Sequence, residues 1–226
     1  MSKNNFYFAG FCLAIGTIAL ILQFNVAVDY WTTRGLSLSA AIGQHFSYYT
    51  IITNTFACIC FAGVFARKKS RVRKFLLSKS FLSTITVNLL FVAIAYNVLL
   101  RHLWNPEGVE FYVNEILHSV MPVIFIFFYY LFVPPDKLKW HCIFSWLIIP
   151  LNYIVIIMMR GELTGFYPYP FLEPARLGYV CVFTNIVLLF TGYMGLSLVF
   201  ISIDRNDRVI GRLRHFFFPD VYQNKS

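Results

Sequence analysis

The chain of 226 residues has a formal net charge of +9, is 58% hydrophobic and 19% aromatic, and holds only 13% charged residues. A water-soluble globule carries about 25% charged residues to keep its surface wetted, so with a mean hydropathy of +0.65 this composition excludes an ordinary soluble fold. The basic residues are confined to short segments between long apolar runs, which excludes the continuous basic face of a nucleic-acid binder.

A bilayer core about 30 Å thick requires about 20 apolar residues of helix. Six runs meet that length, at about 6–28, 43–66, 81–103, 114–133, 140–159 and 177–203. The expected fold is all-α: one membrane domain over 1–226, a bundle of six transmembrane helices, with 204–226 a basic tail. The first run reads as an anchor rather than a cleaved signal, because it is long and no small-residue cleavage pattern follows before Asp29-Tyr30-Trp31.

Fifteen of the nineteen lysines and arginines fall in the N-terminal tail, the 67–80 and 134–139 loops and the C-terminal tail. The opposite loops hold Arg34, Arg101, Arg160 and Arg176. The positive-inside rule then predicts a multi-pass protein of the cell (inner) membrane with both termini cytoplasmic. The basic loop residues are expected to set topology and meet headgroups, with no further role. After Asp204, Arg205, Arg208, Arg212 and Arg214 alternate with Val209, Ile210, Leu213 and Phe216, a spacing that predicts a short helix on the membrane surface.

The five cysteines (Cys12, Cys58, Cys60, Cys142, Cys181) all lie inside apolar runs and read as small apolar residues. Cys58 and Cys60 project from nearly opposite faces of a helix. His45, His102 and His118 include no pair at helical ligand spacing. No metal and no cofactor are expected.

Polar side chains are costly inside a bilayer and therefore informative. With helices 1, 3 and 5 running outward, Gln23, His45, Thr50, Thr53, Asn54, Asn97, Arg101, His118 and Asn185 all fall in the outer half or at its rim. The inner half holds little beyond Asn88 and a few serines and threonines. That asymmetry predicts a pocket open to the outer face, although each Asn or Thr can equally serve as interhelical glue. His118 precedes Pro122 by four residues, so its carbonyl loses the usual helical partner and a kink is expected. It is either a structural residue or a general base. The segment Gly165-Phe166-Tyr167-Pro168-Tyr169-Pro170-Phe171-Leu172-Glu173-Pro174, followed by Arg176, reads as an interfacial aromatic belt or as a rigid lid. As a lid it would offer Tyr169, Glu173 and Arg176 to a ligand.

The strings Phe46-Ser47-Tyr48-Tyr49-Thr50-Ile51-Ile52-Thr53-Asn54, Leu117-His118-Ser119-Val120-Met121-Pro122 and Arg160-Gly161-Glu162-Leu163-Thr164-Gly165 through Pro174 resemble the bacterial Pr6Pr six-transmembrane family. The resemblance runs from helix 1 to Asp204-Arg205. More distantly, the chain is similar to the animal androgen-induced and androgen-dependent six-span proteins, hydrolases of fatty acid esters of hydroxy fatty acids. The resemblance implies a catalytic threonine in helix 2, matched by Thr50 after Tyr48-Tyr49, and a catalytic histidine in helix 4, matched by His118.

What it implies is an intramembrane lipid-ester hydrolase. Thr50 attacks the ester carbonyl, His118 takes its proton, and Asn54, one turn on, holds the oxyanion. Thr53, Asn97, Arg101, Asn185, Tyr169, Glu173 and Arg176 complete the expected pocket. The partner is membrane lipid, in the form of an acyl-ester substrate. The competing reading is a non-catalytic membrane protein that binds or transports a lipid or small solute. Transport is disfavoured because no paired acidic residues lie deep in the helices and no interrupted helix pair is evident.

Overall fold

The structure, a computed structural model, describes residues 3–103, 105–133 and 137–206. The described chain is helical: α1 (Lys3–Thr32), α2 (Leu38–His45), α3 (Tyr49–Gly63), α4 (Arg71–Leu76), α5 (Lys79–Leu103), α6 (Gly108–Phe132), α7 (Cys142–Thr164), α8 (Pro174–Leu177) and α9 (Tyr179–Arg205). No strand occurs among the described residues. The surface helix expected around Arg208–Phe216 lies outside them.

Five helices, α1, α5, α6, α7 and α9, are long and apolar enough to cross a membrane. Their outward faces are those of a lipid-covered protein: Leu163 is 85% exposed and Val180 83%. Rows of such side chains would be an aggregation surface in water and are ordinary in lipid.

The expected continuous helix over 43–66 is instead two pieces. α2 stops at His45 and α3 starts at Tyr49. Ser47 turns its hydroxyl back to the carbonyl of Gly43 at 2.6 Å, and Tyr48 adopts extended backbone (φ −82°, ψ 127°). A side chain that bonds a preceding carbonyl in this way competes with the helix ladder. α3 has 15 residues, a length of about 22 Å, so it falls short of a bilayer core on its own.

The bundle is solid at one end and hollow at the other. Towards the C-terminal ends of α3 and α6, Phe61 packs on Phe125 and Phe128 with ring centroids 5.4 and 4.8 Å apart. Leu82, Ile85, Trp146 and Ile201 close the same core without exposure. α1 crosses α3 and α6 closely at Gly16, where an added Cβ would come within 2.7 Å of both Cys58 Sγ and Met121 Cε. The opposite end, where α1 finishes and α3 and α6 begin, holds the cavities.

At the solid end, Asp204 joins three helices. Its carboxylate accepts from the Tyr129 hydroxyl at 2.9 Å and the Leu138 amide at 3.0 Å, and pairs with Lys79 Nζ at 2.9 Å. Lys79 therefore does more than set topology. A carboxylate this buried, 5% exposed, is stable only when its lone pairs are filled. Asp204→Ala, which strands Lys79 and frees the Tyr129 hydroxyl, is expected to lower stability by about 1–3 kcal/mol. A shift of the thermal midpoint in detergent checks this, and an unchanged midpoint would mean the network is dispensable.

Candidate functional site

The break before α3 leaves backbone groups that lipid cannot satisfy, and two tyrosines from elsewhere in the chain take them up. Tyr153 on α7 donates its hydroxyl to the carbonyl of Ser47 at 2.8 Å. The amide of Tyr49 donates to the hydroxyl of Tyr169, in the loop after α7, at 3.0 Å. Irregular backbone at membrane depth is tolerated when protein surrounds it in this way. Thr50 consequently sits in the first turn of α3, where the helix end carries partial positive charge.

His118 lies on α6 in a π-helical turn, Ile116–Val120, immediately before Met121-Pro122. The expected irregularity at Pro122 takes the form of this wider turn. Such turns concentrate at functional sites in helices. A second π-helical turn, Tyr96–Leu100, lies on α5. Tyr96 from the second stacks on His118 from the first, with centroids 3.9 Å apart and planes at 25°. The Tyr96 hydroxyl accepts from the Asn114 amide.

The imidazole bridges two oxygens. Nδ1 lies 2.9 Å from the carbonyl of Asn114, and Nε2 lies 3.1 Å from the hydroxyl of Thr50. A carbonyl can only accept, so Nδ1 carries the proton. In the neutral ring Nε2 is then a lone pair, and it accepts the Thr50 O–H. A hydroxyl, an imidazole lone pair and a carbonyl orienting the ring are joined in one chain of hydrogen bonds, the relation that nucleophilic catalysis requires of a hydroxyl and its base.

Asn54 does not take the oxyanion position expected of it. Its amide donates to the carbonyl of Thr50 at 2.9 Å and to that of Leu117 at 3.2 Å, which uses both N–H bonds. Asn54 is instead a fully buried clamp between α3 and the turn that carries His118. Thr53 is likewise spent on its own helix, bonding the carbonyls of Tyr49 and Thr50. Asn97 is exposed, bonds Ala93 and accepts from Arg101, which pairs with Glu115. Asn185 holds the carbonyl of Phe171 at 3.0 Å and so anchors the 165–178 loop. Glu173 precedes the short α8, the exposed Arg176 lies within it, and neither lines a cavity of the site.

Tyr169 is the loop residue that reaches the centre. Beyond the Tyr49 amide, its hydroxyl has Thr50 and Tyr153 as polar neighbours. Burial raises its phenol above the ordinary value, and the bonds from Tyr49 and Thr50 oppose that shift only in part. It therefore keeps its proton and can donate it. Its ring is stacked on Phe171 at 5.3 Å. Tyr167 grips the same loop, packed against Gly161, where any Cβ would clash at 2.1 Å, and bonded to Glu162 at 2.9 Å.

Two cavities meet at this centre. One, of about 80 Å³, is walled by Phe91, Val92, Ile154, Phe171, Leu172, Leu189 and Phe190. The other, of about 380 Å³, is walled by Gln23, Tyr30, Trp31, His45, Glu110 and Phe166 among others. Thr50, Tyr96, Leu100, His118 and Tyr169 line both.

Tyr96 and Tyr153 do not stand out in the sequence, because tyrosine reads as apolar surface or interfacial belt. The available signal was their placement deep within spans, away from the ends where belts form. No family model, no curated protein and no solved structure matches the chain.

Asn54→Leu removes both clamp bonds and leaves the Leu117 carbonyl unpaired in a dry site. The expected cost is about 1–3 kcal/mol of stability. Thermal denaturation measures it, and a wild-type midpoint would show that α3 and α6 are held by packing alone.

Proposed function

We propose that this protein is an intramembrane hydrolase of lipid esters, with Thr50 as nucleophile and His118 as base. On this reading it is a six-span protein, α2 and α3 together forming the second crossing. Both termini lie in the cytoplasm and the reaction centre faces the outer leaflet. The animal hydrolases that its motifs distantly resemble pair a helix-2 threonine with a helix-4 histidine. The observation that carries the reading is the Thr50 hydroxyl at 3.1 Å from an imidazole nitrogen whose ring partner is fixed on the Asn114 carbonyl.

The steps balance as an acyl transfer to water. Thr50 Oγ1 bonds to the ester carbonyl carbon while its proton passes to His118 Nε2. The negative charge on the carbonyl oxygen falls beside the first turn of α3. There the Tyr169 O–H donates to it in place of Asn54, whose donors are committed. Collapse breaks the bond to the alcohol oxygen, which leaves with the proton from Nε2–H. Water then attacks the Thr50 ester by the same route, releasing the carboxylic acid and restoring Thr50. Tyr96, stacked on the ring, and the Asn114 carbonyl hold the imidazole at the angle both transfers need.

Two cavities of unlike character suit an ester with unlike halves. The small apolar one fits the start of an acyl chain and the larger polar one fits the alcohol side. The same two cavities support the second reading, a carrier that holds a lipid without cutting it.

Purified protein in lipid nanodiscs, given medium- and long-chain esters, tests the two readings. Wild type is expected to release fatty acid and Thr50→Ala to release none. His118→Ala should fall by about 10²–10⁴-fold and Tyr169→Phe by about 10²–10³-fold. An acyl adduct on Thr50 in the mass spectrum is the expected trapped intermediate. Binding without turnover or adduct would leave the carrier reading in its place.

A further inference from the structure

We propose that the larger cavity receives a cationic headgroup, a quaternary ammonium above all. As a statement about substrate this rests on the hydrolase reading; as a statement about binding it does not.

The chamber's walls are aromatic and mutually edge-on. Tyr30 meets Trp31 at 5.0 Å and 87°, Trp31 meets Phe166 at 5.4 Å and 87°, and Tyr48 meets Tyr169 at 5.9 Å and 89°. All five rings line the chamber. Rings packed edge to face present π faces in several directions at once, the arrangement that surrounds an alkylated ammonium. Two of these rings already take cations on their faces from outside the chamber. The Arg34 guanidinium lies 3.4 Å from the Tyr30 centroid and that of Arg160 5.4 Å from Phe166.

The chamber's charge points the same way. Among its lining residues Glu110 is the one acidic side chain, and no lysine or arginine lines it. Glu115, one and a half turns along α6, is paired with Arg101. Glu110 enters no ion pair among the described residues, whose two pairs are Lys79–Asp204 and Arg101–Glu115. A partly buried carboxylate without a counter-ion, facing an aromatic enclosure, attracts a cation and repels an anionic headgroup. Thr50 and His118 lie on the wall shared with the apolar cavity. An ester there, with its acyl carbons in the smaller space, would extend its alcohol portion among these rings.

Three esters of one acyl chain test this on the full protein in neutral nanodiscs: lauroylcholine, methyl laurate and the lauroyl ester of a hydroxy acid. The choline ester is expected to exceed the neutral one in kcat/KM by about tenfold or more, with the anionic ester poorest. Glu110→Gln and, separately, Trp31→Leu should bring the ratio of choline to methyl ester down towards one. Equal or inverted preference in wild type, or a ratio untouched by both variants, overturns the headgroup assignment and leaves the hydrolase reading standing. If no ester is cleaved, the hydrolase reading fails and binding decides. Dodecyltrimethylammonium should then quench protein fluorescence at lower concentration than dodecanol, with the difference reduced in Glu110→Gln. Equal binding of the two amphiphiles ends the proposal.

Discussion

The constraint on which the site depends is the unsatisfied backbone at the start of α3. Among apolar helices, a helix that begins inside the bundle presents amides and carbonyls that only other parts of the protein can bond. Tyr153 and Tyr169 supply those bonds to Ser47 and Tyr49. Because one comes from α7 and the other from the loop beyond it, the break draws the far side of the bundle onto Thr50. The loop is then fixed in turn by Asn185 on Phe171 and by Tyr167 against Gly161. A break in one segment thereby positions residues more than a hundred places away in sequence.

Two wide helical turns add the second element. In the regular α-helix a side chain lies over the turn before it. The widened turn at Ile116–Val120 carries His118 so that one ring nitrogen meets the Asn114 carbonyl and the other Thr50. The matching turn at Tyr96–Leu100 sets Tyr96 flat against the imidazole. Asn54 then ties the carbonyl of Leu117 to α3. Asn114, Tyr96 and Asn54 thus hold the contact between Thr50 and His118 from three sides.

The solid and hollow ends of the bundle divide the work of the fold. Phenylalanine packing and the Asp204 network secure the end that carries no cavity. The other end can then leave space around polar groups without losing the bundle, since close packing elsewhere supplies the stability that cavities cost. The two spaces differ in character because α5, α7 and α9 contribute aliphatic and phenylalanine side chains to one, while α1, α2 and the loop contribute polar and aromatic ones to the other.

Composition and run length by themselves determined that the chain is helical and built from long apolar segments, because the covering solvent fixes both. Residue count along the helices set Thr50 and His118 at similar expected levels, and the structure brings their side chains within 3.1 Å. Local chemistry announced an irregularity at Pro122, where a missing N–H is a property of one residue. The break at 46–48 was not legible, since its satisfaction comes from Tyr153 and Tyr169, and a hydropathy run is blind to distant partners. The direction of Asn54 was equally hidden: an amide's choice between a substrate oxygen and the Leu117 carbonyl is made by the neighbouring helix. Lys79 looked like one more topological charge until Asp204 was brought to it. Which polar groups face one another, and which are already spent, is decided by packing between helices, and that only the tertiary structure contains.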